Sequence, residues 1–146
     1  MHWHETFGHF ARSPVGSISE NYKNGQLCRI NLRTRKVVTI FADLDGAVCD
    51  PCVHYDAKKI LFSYRKAESR YFHLYEINVD GTGLRQLTDG TFDDIEPTYL
   101  PDGGIVFVSS RANRFVPCWS NQVATLFRCD ADGKNILKLT AGVEQE

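Results

Sequence analysis

The sequence predicts an all-β fold, a partial β-propeller with about two full four-stranded antiparallel blades and part of a third. The first observation behind this prediction is an internal repeat, in which Pro51 and Asp56 recur 46 residues later as Pro97 and Asp102. The run 74–81 likewise matches the run 126–133 at a shift of 52 residues. A period of about 40–50 residues is typical of solenoids and propellers, whose units pack on their neighbours.

The second observation is that each repeat contains four short apolar runs separated by turn residues. In the later repeat these runs lie at 97–100, 105–109, 125–130 and 136–140. Asp-Gly pairs between them supply residues that tolerate positive φ. The run Ile105 to Val108 is apolar throughout, which favours an inner strand covered on both faces. Tyr75, Ile77 and Val79 alternate with polar residues, which favours a strand with one polar face. Four such strands make a propeller blade.

An incomplete blade precedes the two full ones. Leu27 to Leu32 repeats the third-strand pattern at a shift of 47 residues, and Lys36 to Phe41 matches the outer strand. The polar segment before them predicts a loop. The chain is therefore expected to divide into a loop-rich segment, a blade tail with its crossing, a blade, and a blade with an inserted loop at 112–124. These parts span 1–26, 27–48, 49–91 and 92–146.

The later repeat also carries a specific set of motifs: an acidic residue before proline, Pro-Asp-Gly, Ile-x-Phe-x-Ser-x-Arg, Asp-x-Asp-Gly and Leu-Thr. They lie at 96–97, 101–103, 105–111, 130–133 and 139–140. On these residues the chain resembles the TolB-type, WD40-like β-propeller repeat. The run 50–132 also resembles the propeller-like middle domain of proteins of the hydrazine synthase alpha-subunit type. The resemblance covers roughly 46–142 and implies an exported, periplasmic or extracellular protein, although the chain itself shows no signal peptide.

Composition excludes several classes of partner. A chain of 146 residues with a net charge of −1 has no basic balance that would favour nucleic acid. No run of 18 apolar residues is present, so we expect no membrane span. Propellers close with roughly 4–8 blades. With fewer blades than that, we expect the chain to be a piece of a larger propeller, partnered by the remaining blades, or to close with other copies of itself.

The cysteines suggest local chemistry that the spacing does not complete. Cys49 and Cys52 form Cys-x-x-Cys, but Val53 separates them from His54, whereas covalent haem requires the histidine directly after the second cysteine. The pair also matches half of a zinc site or a redox pair, but a local disulfide or two thiols is the expected state. Cys118 could pair with Cys129, and Cys28 has an apolar-face position. We expect no cofactor and no metal in this chain.

The amino-terminal segment offers a second metal motif. His2 and His4 form a His-x-His half-site, with His9 nearby. An edge segment without metal is the expected alternative.

The inserted loop is the main candidate for binding. It lies between the second and third strands of its blade, a connection that in propellers shares one face with the crossing between blades. An aromatic platform with polar donors on a rigid scaffold is typical of binding loops. The candidate residues in and beside the loop are Arg111, Arg114, Trp119, Asn121 and Gln122. Two alternatives stay open: Trp119 packs over the blade edge, or Arg111 forms an ion pair with an acidic residue at a strand start.

The crossing before this blade adds an acidic group. Asp93, Asp94 and Glu96 are candidate binding residues, and oxygen ligands of this kind could hold calcium. A solvated turn is the expected alternative. The sequence contains no Gly-x-Ser-x-Gly, phosphate loop or His-Glu-x-x-His.

The expected function is therefore a non-catalytic scaffold or binding module for a protein or peptide ligand, within a larger exported protein. The alternatives are a propeller domain that supports a multi-haem oxidoreductase, as the resemblance implies, or a peptidase-associated propeller.

Overall fold

A computed structural model describes residues 23–112 and 124–140 of the chain. Across this part of the chain the regular structure consists of β-strands, and three antiparallel sheets of two, four and four strands follow one another in sequence order. The strands are β1 (Gly25–Ile30), β2 (Val37–Asp43), β3 (Ala47–Val53), β4 (Lys59–Arg65), β5 (His73–Asn78), β6 (Arg85–Gln86), β7 (Asp94–Tyr99), β8 (Ile105–Ser109), β9 (Thr125–Cys129) and β10 (Leu137–Lys138).

Each four-stranded sheet is a propeller blade in which consecutive strands pair. The second blade has the order β3-β4-β5-β6, and the third has β7-β8-β9-β10. The described residues of the first blade form the β1–β2 pair, in which Gly25 lies opposite Asp43. The predicted all-β partial propeller is therefore confirmed. No helix that could cross a membrane is found among the residues that the structure describes.

Two apolar layers hold the blades face to face. The layer between the first and second blades contains one side chain from β1 and five from the second blade. Its buried members are Leu27, Ile60, Phe62, Tyr64, Tyr75 and Ile77. The layer between the second and third blades is made by Leu61, Leu74, Leu87, Tyr99, Ile105, Phe107, Phe127 and Cys129. Successive side chains of β4 enter opposite layers because strand side chains alternate between the two faces of a sheet.

This double coverage corrects one expectation from the sequence. Alternation along β5 predicted one polar face, but five of its six residues are buried, including Glu76. The polar side of this strand is turned toward the third blade and not toward solvent, and there Glu76 accepts a hydrogen bond of 3.0 Å from the Tyr99 hydroxyl. Buried polar groups are normally hydrogen-bonded, and the Tyr99 hydroxyl supplies such a partner for the Glu76 carboxylate.

The inner strands share a bulge at the acidic residue before proline. Asp50 and Glu96 have φ of 53° and 52°, and the pairing register shifts at both places. The Asp50 carboxylate accepts hydrogen bonds of 3.1 Å from the Ser63 hydroxyl and of 3.1 Å from the Glu96 amide. The acidic-proline motif therefore joins the inner strand of one blade to the inner strand of the next.

The two arginines that align in the sequence repeat do not occupy equivalent places. Arg65 lies opposite Ala47 inside the sheet of the second blade. In the third blade the equivalent position is held by Ser110, whose amide donates to the Asp93 carbonyl, so Arg111 lies one residue beyond it, after β8. The cause is the turn between the first two strands. It is closed by a bond from His54 to Lys59 in the second blade and from Leu100 to Gly104 in the third, which is one residue shorter.

Candidate functional site

The candidate site lies where β8 ends and the crossing from the second blade enters β7. Its centre is Asp94, whose side chain is completely buried. Arg111 donates to both carboxylate oxygens, with Nε–Oδ1 at 2.9 Å and an NH2–Oδ2 distance of 2.6 Å. The Ser109 hydroxyl donates to Oδ1 at 2.7 Å, and the His73 ring nitrogen Nδ1 lies 3.4 Å from Oδ2. Such bidentate pairs are among the stronger interactions in proteins.

The remaining contacts of Arg111 also lie within the protein. Its guanidinium donates to the Asp89 carbonyl at 2.9 Å and stacks over the Phe92 ring at 5.4 Å from the centroid. The ion-pair alternative for Arg111 is thus the arrangement observed, with Asp94 as the acidic partner. The residue connects the crossing to the end of β8, directly before the inserted loop.

Asp93 has a different role from its neighbour. Its carboxylate accepts a hydrogen bond of 3.0 Å from the Phe72 amide, and its own amide donates to the Ser110 hydroxyl at 3.0 Å. Phe72 belongs to the connection between β4 and β5. The crossing and this connection therefore lie at the same edge of the blades.

The pKa values of the two adjacent acids shift in opposite directions. Burial raises the pKa of Asp93, and the hydrogen bond from Phe72 offsets this only in part. Burial also raises the pKa of Asp94, but hydrogen bonds from His73, Arg111 and Ser109 outweigh it, so this pKa is lowered. Asp94 is therefore held as a carboxylate by its partners.

Glu96 does not join this group. It is exposed on the inner strand of the third blade, in the bulge that begins after Ile95. The side chains of the three acids therefore have different surroundings and do not meet at one point. The described residues contain no cluster of three or more metal-ligating side chains.

The loop residues Arg114, Trp119, Asn121 and Gln122 lie outside the described residues, as does Cys118. Their binding role stays a prediction. The structure fixes the two ends of the loop, since Arg111 is held by Asp94 and the buried Thr125 pairs with Ser109. The loop thus begins and ends at the edge where the crossing lies.

Cysteine chemistry is limited in the part of the chain that the structure describes. Cys52 is a thiol whose Sγ lies 3.8 Å from the Thr98 hydroxyl, and Cys129 is a buried thiol. Burial raises the pKa of Cys129 to about 11, which disfavours the reactive thiolate. Cys49 and Cys52 are not joined by a disulfide in this structure. Cys118 lies outside the described residues, so its pairing with Cys129 stays a prediction. The histidine motif of the first residues lies outside the described part.

Sequence reasoning missed a polar cluster between the second and third blades. Glu76 accepts from the Arg85 guanidinium at 2.8 and 2.9 Å and lies 3.3 Å from the Lys59 ammonium. Burial and the Glu76 charge raise the pKa of Tyr99, which keeps its hydroxyl a donor. The signal in the sequence was one acidic residue, Glu76, between basic residues on the two neighbouring strands, Lys59 and Arg85. The burial of Glu76, however, depends on the third blade that covers it.

Comparison with known proteins supports the fold. No family model matches the chain. Hydrazine synthase subunit alpha of Kuenenia stuttgartiensis is 29% identical over 104 residues, which is 66% of this chain. A TolB-like protein from Agrobacterium tumefaciens superposes with a TM-score of 0.61 at 21% identity over 81% of this chain. The structure of Kuenenia stuttgartiensis hydrazine synthase superposes with a TM-score of 0.56 at 21% identity over 80% of it.

The chain is much shorter than these proteins. It spans 13% of hydrazine synthase subunit alpha, 45% of the TolB-like chain and 19% of the hydrazine synthase chain in the structure. The comparisons therefore show that the chain resembles TolB-type and hydrazine synthase propellers, and that its fold is that of a partial propeller.

Proposed function

We propose that the chain is a non-catalytic β-propeller module that binds a protein or peptide through its 112–124 loop, within a larger protein. The observation that carries this proposal is the anchoring of Arg111 at the base of the loop. A completely buried carboxylate, Asp94, holds the guanidinium by two hydrogen bonds of 2.9 and 2.6 Å. Binding loops are typically positioned by a rigid scaffold of this kind.

The composition of the loop agrees with recognition of a polypeptide. Tryptophan and arginine dominate the energetics of protein interfaces, and Trp119 and Arg114 follow the anchored end of the loop. Arg111, Asp93 and Asp94 support the loop from below in this proposal and do not contact the ligand themselves.

The experiment compares Trp119→Ala with Trp3→Ala, because these are the only two tryptophans of the chain. Peptides that bind the full wild-type chain are selected from a displayed peptide library, and their affinity for each variant is then measured. We expect Trp119→Ala to weaken binding about tenfold or more, with an unchanged free energy of unfolding, while Trp3→Ala binds normally. A large loss of stability in Trp119→Ala would instead show that the ring packs on the blade, and undiminished binding would place the ligand elsewhere.

A second candidate function is a propeller domain that supports a multi-haem oxidoreductase. The identity of 29% to hydrazine synthase subunit alpha over 104 residues favours it. Haem would then be attached outside this chain, because Val53 interrupts the Cys-x-x-Cys-His spacing. The test is the absorption spectrum of whatever polypeptide co-purifies with the chain from its native cell. A haem band in the complex supports this function, and a haem-free complex removes it.

We also propose that the larger protein is exported, as the resemblance to TolB-type proteins implies. Cell fractionation with an antibody to this chain tests it, and a signal confined to the cytoplasmic fraction would contradict it. A peptidase-associated propeller would show peptidase activity in the same co-purified complex.

A further inference from the structure

We call the connection between the third and outermost strands of each blade its outer turn. In the first blade this turn joins β1 to β2, and it is exposed throughout. It carries three cations, Arg33, Arg35 and Lys36, and no acid. None of these three side chains forms an ion pair or a hydrogen bond with another described residue. Their charges are therefore available to a partner.

The other two outer turns are not basic, so the repeat itself does not require these cations. The turn at 79–84 contains Asp80 and no basic residue. The turn at 130–135 contains two aspartates and a single lysine, Lys134, whose ammonium pairs with Asp132 at 2.9 Å. The concentration of positive charge is thus specific to the first blade, in a chain with a net charge of −1.

The strand that leaves this turn has an unpaired outer edge. Among the described strands, β2 pairs with β1 alone. The Asn31 amide donates to the Lys36 carbonyl at 2.9 Å, and the same register continues through Val37 and Val38. Bonded and non-bonded pairs alternate along an antiparallel ladder. The amides and carbonyls of Val37 and Thr39 therefore point away from β1, toward the edge.

This edge lacks the protection that the other outer strands have. β6 and β10 are two residues long, and each includes a basic residue. Short strands and charges normally keep an edge from pairing with other chains. β2 has seven residues, and the run 37–42 contains no charge and no proline. Its accessible part is 37–39, because a bulge at Ile40 interrupts the ladder and the Ile40 carbonyl lies against Gly81 of the second blade.

We propose that the first blade binds an acidic polypeptide segment in an extended conformation. The segment adds as an antiparallel strand to β2 at 37–39, and its acidic end meets Arg33, Arg35 and Lys36. Because β2 runs away from the turn, the acidic end is the carboxyl-terminal end of the segment. Main-chain hydrogen bonds supply affinity in this mode of recognition, and the cations select carboxylate side chains.

The free edge favours a polypeptide over an anionic lipid surface. Lipid headgroups would use the cations alone, whereas an added strand also pairs with the amides and carbonyls of Val37 and Thr39. Val37 and Val38 are 58% and 37% exposed and offer apolar contacts to residues that precede the acids. The cations and the edge are contiguous, so one extended segment satisfies both.

This surface is separate from the 112–124 loop. Consecutive connections of an antiparallel sheet alternate between its two ends. The loop connects the second and third strands of its blade, and the outer turn connects the third and outermost strands, so they lie at opposite ends of the blades. The inference therefore goes beyond the proposed function, and either can fail alone.

The test is a titration of the isotopically labelled full chain, followed by backbone amide NMR. The probe is a terminally blocked peptide, Thr-Val-Thr-Val-Asp-Glu-Asp, added to millimolar concentration. We expect the signals of Val37 and Thr39 to shift. A peptide with asparagine and glutamine in place of its acids should bind about tenfold more weakly. So should a peptide methylated on the amide nitrogens of its threonines and valines, which keeps the charge but cannot form the ladder.

Two results of this titration would overturn the proposal. Absence of binding by the parent peptide would show that the edge does not accept an acidic strand. Equal binding by the methylated peptide would show attraction by charge alone, without strand addition.

Matched variants of the protein locate the charges that act. Arg33→Gln/Lys36→Gln removes two cations from the turn, and Lys58→Gln/Arg70→Gln removes two exposed cations elsewhere. We expect the first variant to bind the parent peptide about tenfold more weakly and the second to bind it normally. Equal losses would show a general effect of net charge and contradict the assignment. Trp119→Ala should bind this peptide normally, and a loss there would place the peptide on the loop instead.

Vesicles of phosphatidylglycerol and phosphatidylcholine test the lipid alternative by co-sedimentation with the full chain. Binding to these vesicles that depends on Arg33 and Lys36, without binding of the peptide, would assign the surface to anionic lipid and overturn the proposal. Binding of the peptide at Val37 and Thr39 without co-sedimentation supports it.

Discussion

Asp93 and Asp94 are neighbours of the same type, but they contribute to stability with opposite signs. The pKa of Asp94 is lowered by its donors, so the folded state binds its charged form more favourably than the unfolded state does. The pKa of Asp93 is raised by burial, so its charge opposes folding at neutral pH. The sequence showed an acidic crossing, but the sign at Asp93 depends on its burial, and the sign at Asp94 depends on Arg111 and on His73 of the second blade.

Asp94→Asn should be the most damaging change at this site. It leaves the Arg111 guanidinium without its counter-ion in a buried setting, and we expect a loss of about 3 kcal/mol in the free energy of unfolding at pH 7. Because the folded-state pKa lies below the ordinary value of 3.8, this stabilisation is complete above that pH and is lost as the pH falls further. The difference between wild type and variant, measured by urea unfolding, should therefore shrink below pH 3.8.

The control for this prediction is Asp89→Asn, because only the backbone carbonyl of Asp89 contacts Arg111. Its side chain is exposed, and its removal should leave stability within about 0.5 kcal/mol of wild type. Equal effects of the two variants, or an Asp94→Asn difference that persists at low pH, would show that the buried ion pair does not stabilise the edge.

At the scale of the element, the outer turns test how tightly the blades are joined. Gly133→Ala and Gly103→Ala both place a side chain at positive φ, 83° and 87°, which costs about 1–2 kcal/mol. Only at Gly133 does the new carbon meet another blade, since no atom lies within 4 Å of a Cβ on Gly103. We expect Gly133→Ala to lose about 3 kcal/mol or more in chemical denaturation and Gly103→Ala to lose no more than the backbone cost. Matching losses would mean that the blades separate easily there.

The elements themselves were predictable because the repeat samples the same strand pattern more than once. The later runs near Ile105 and Thr125 coincide with β8 and β9, and the run from Leu27 with β1. The burial of Glu76 was not predictable, because it depends on a second sheet that covers β5 and leaves no mark in local periodicity. The offset of Arg111 could have been read from the repeat, since Asp56 and Asp102 are 46 residues apart but Ile60 and Ile105 are only 45 apart.

The candidate site was predicted only in its acidic and basic members, and their contacts differ from the expected ones. Glu96 is two residues after Asp94, and regular alternation would place both side chains on one face of β7, but the bulge after Ile95 separates them. Asp50 occupies the equivalent bulge of the second blade, and its carboxylate accepts the Glu96 amide of the third blade. The repeat indicates that Asp50 and Glu96, 46 positions apart, lie in equivalent places, but it does not indicate that the Asp50 carboxylate accepts the Glu96 amide.

At the scale of the whole molecule, the side of the third blade that faces away from the second, which we call the open face, should make the isolated chain bind hydrophobic dyes while it remains folded. Leu137 is 63% exposed beside Leu126 and Leu139, a group that monomeric proteins rarely leave uncovered. We expect the fluorescence of 8-anilinonaphthalene-1-sulfonate to rise with wild-type chain and to fall by about half in Leu126→Asp/Leu139→Asp, because charge removes the apolar patch. Leu44→Asp, outside the open face, should leave the signal unchanged. Cooperative urea unfolding of each variant separates this exposed face from a loosely packed state, which would bind dye without sensitivity to the substitutions. A compact wild-type monomer that binds no dye would contradict the exposure of the blade.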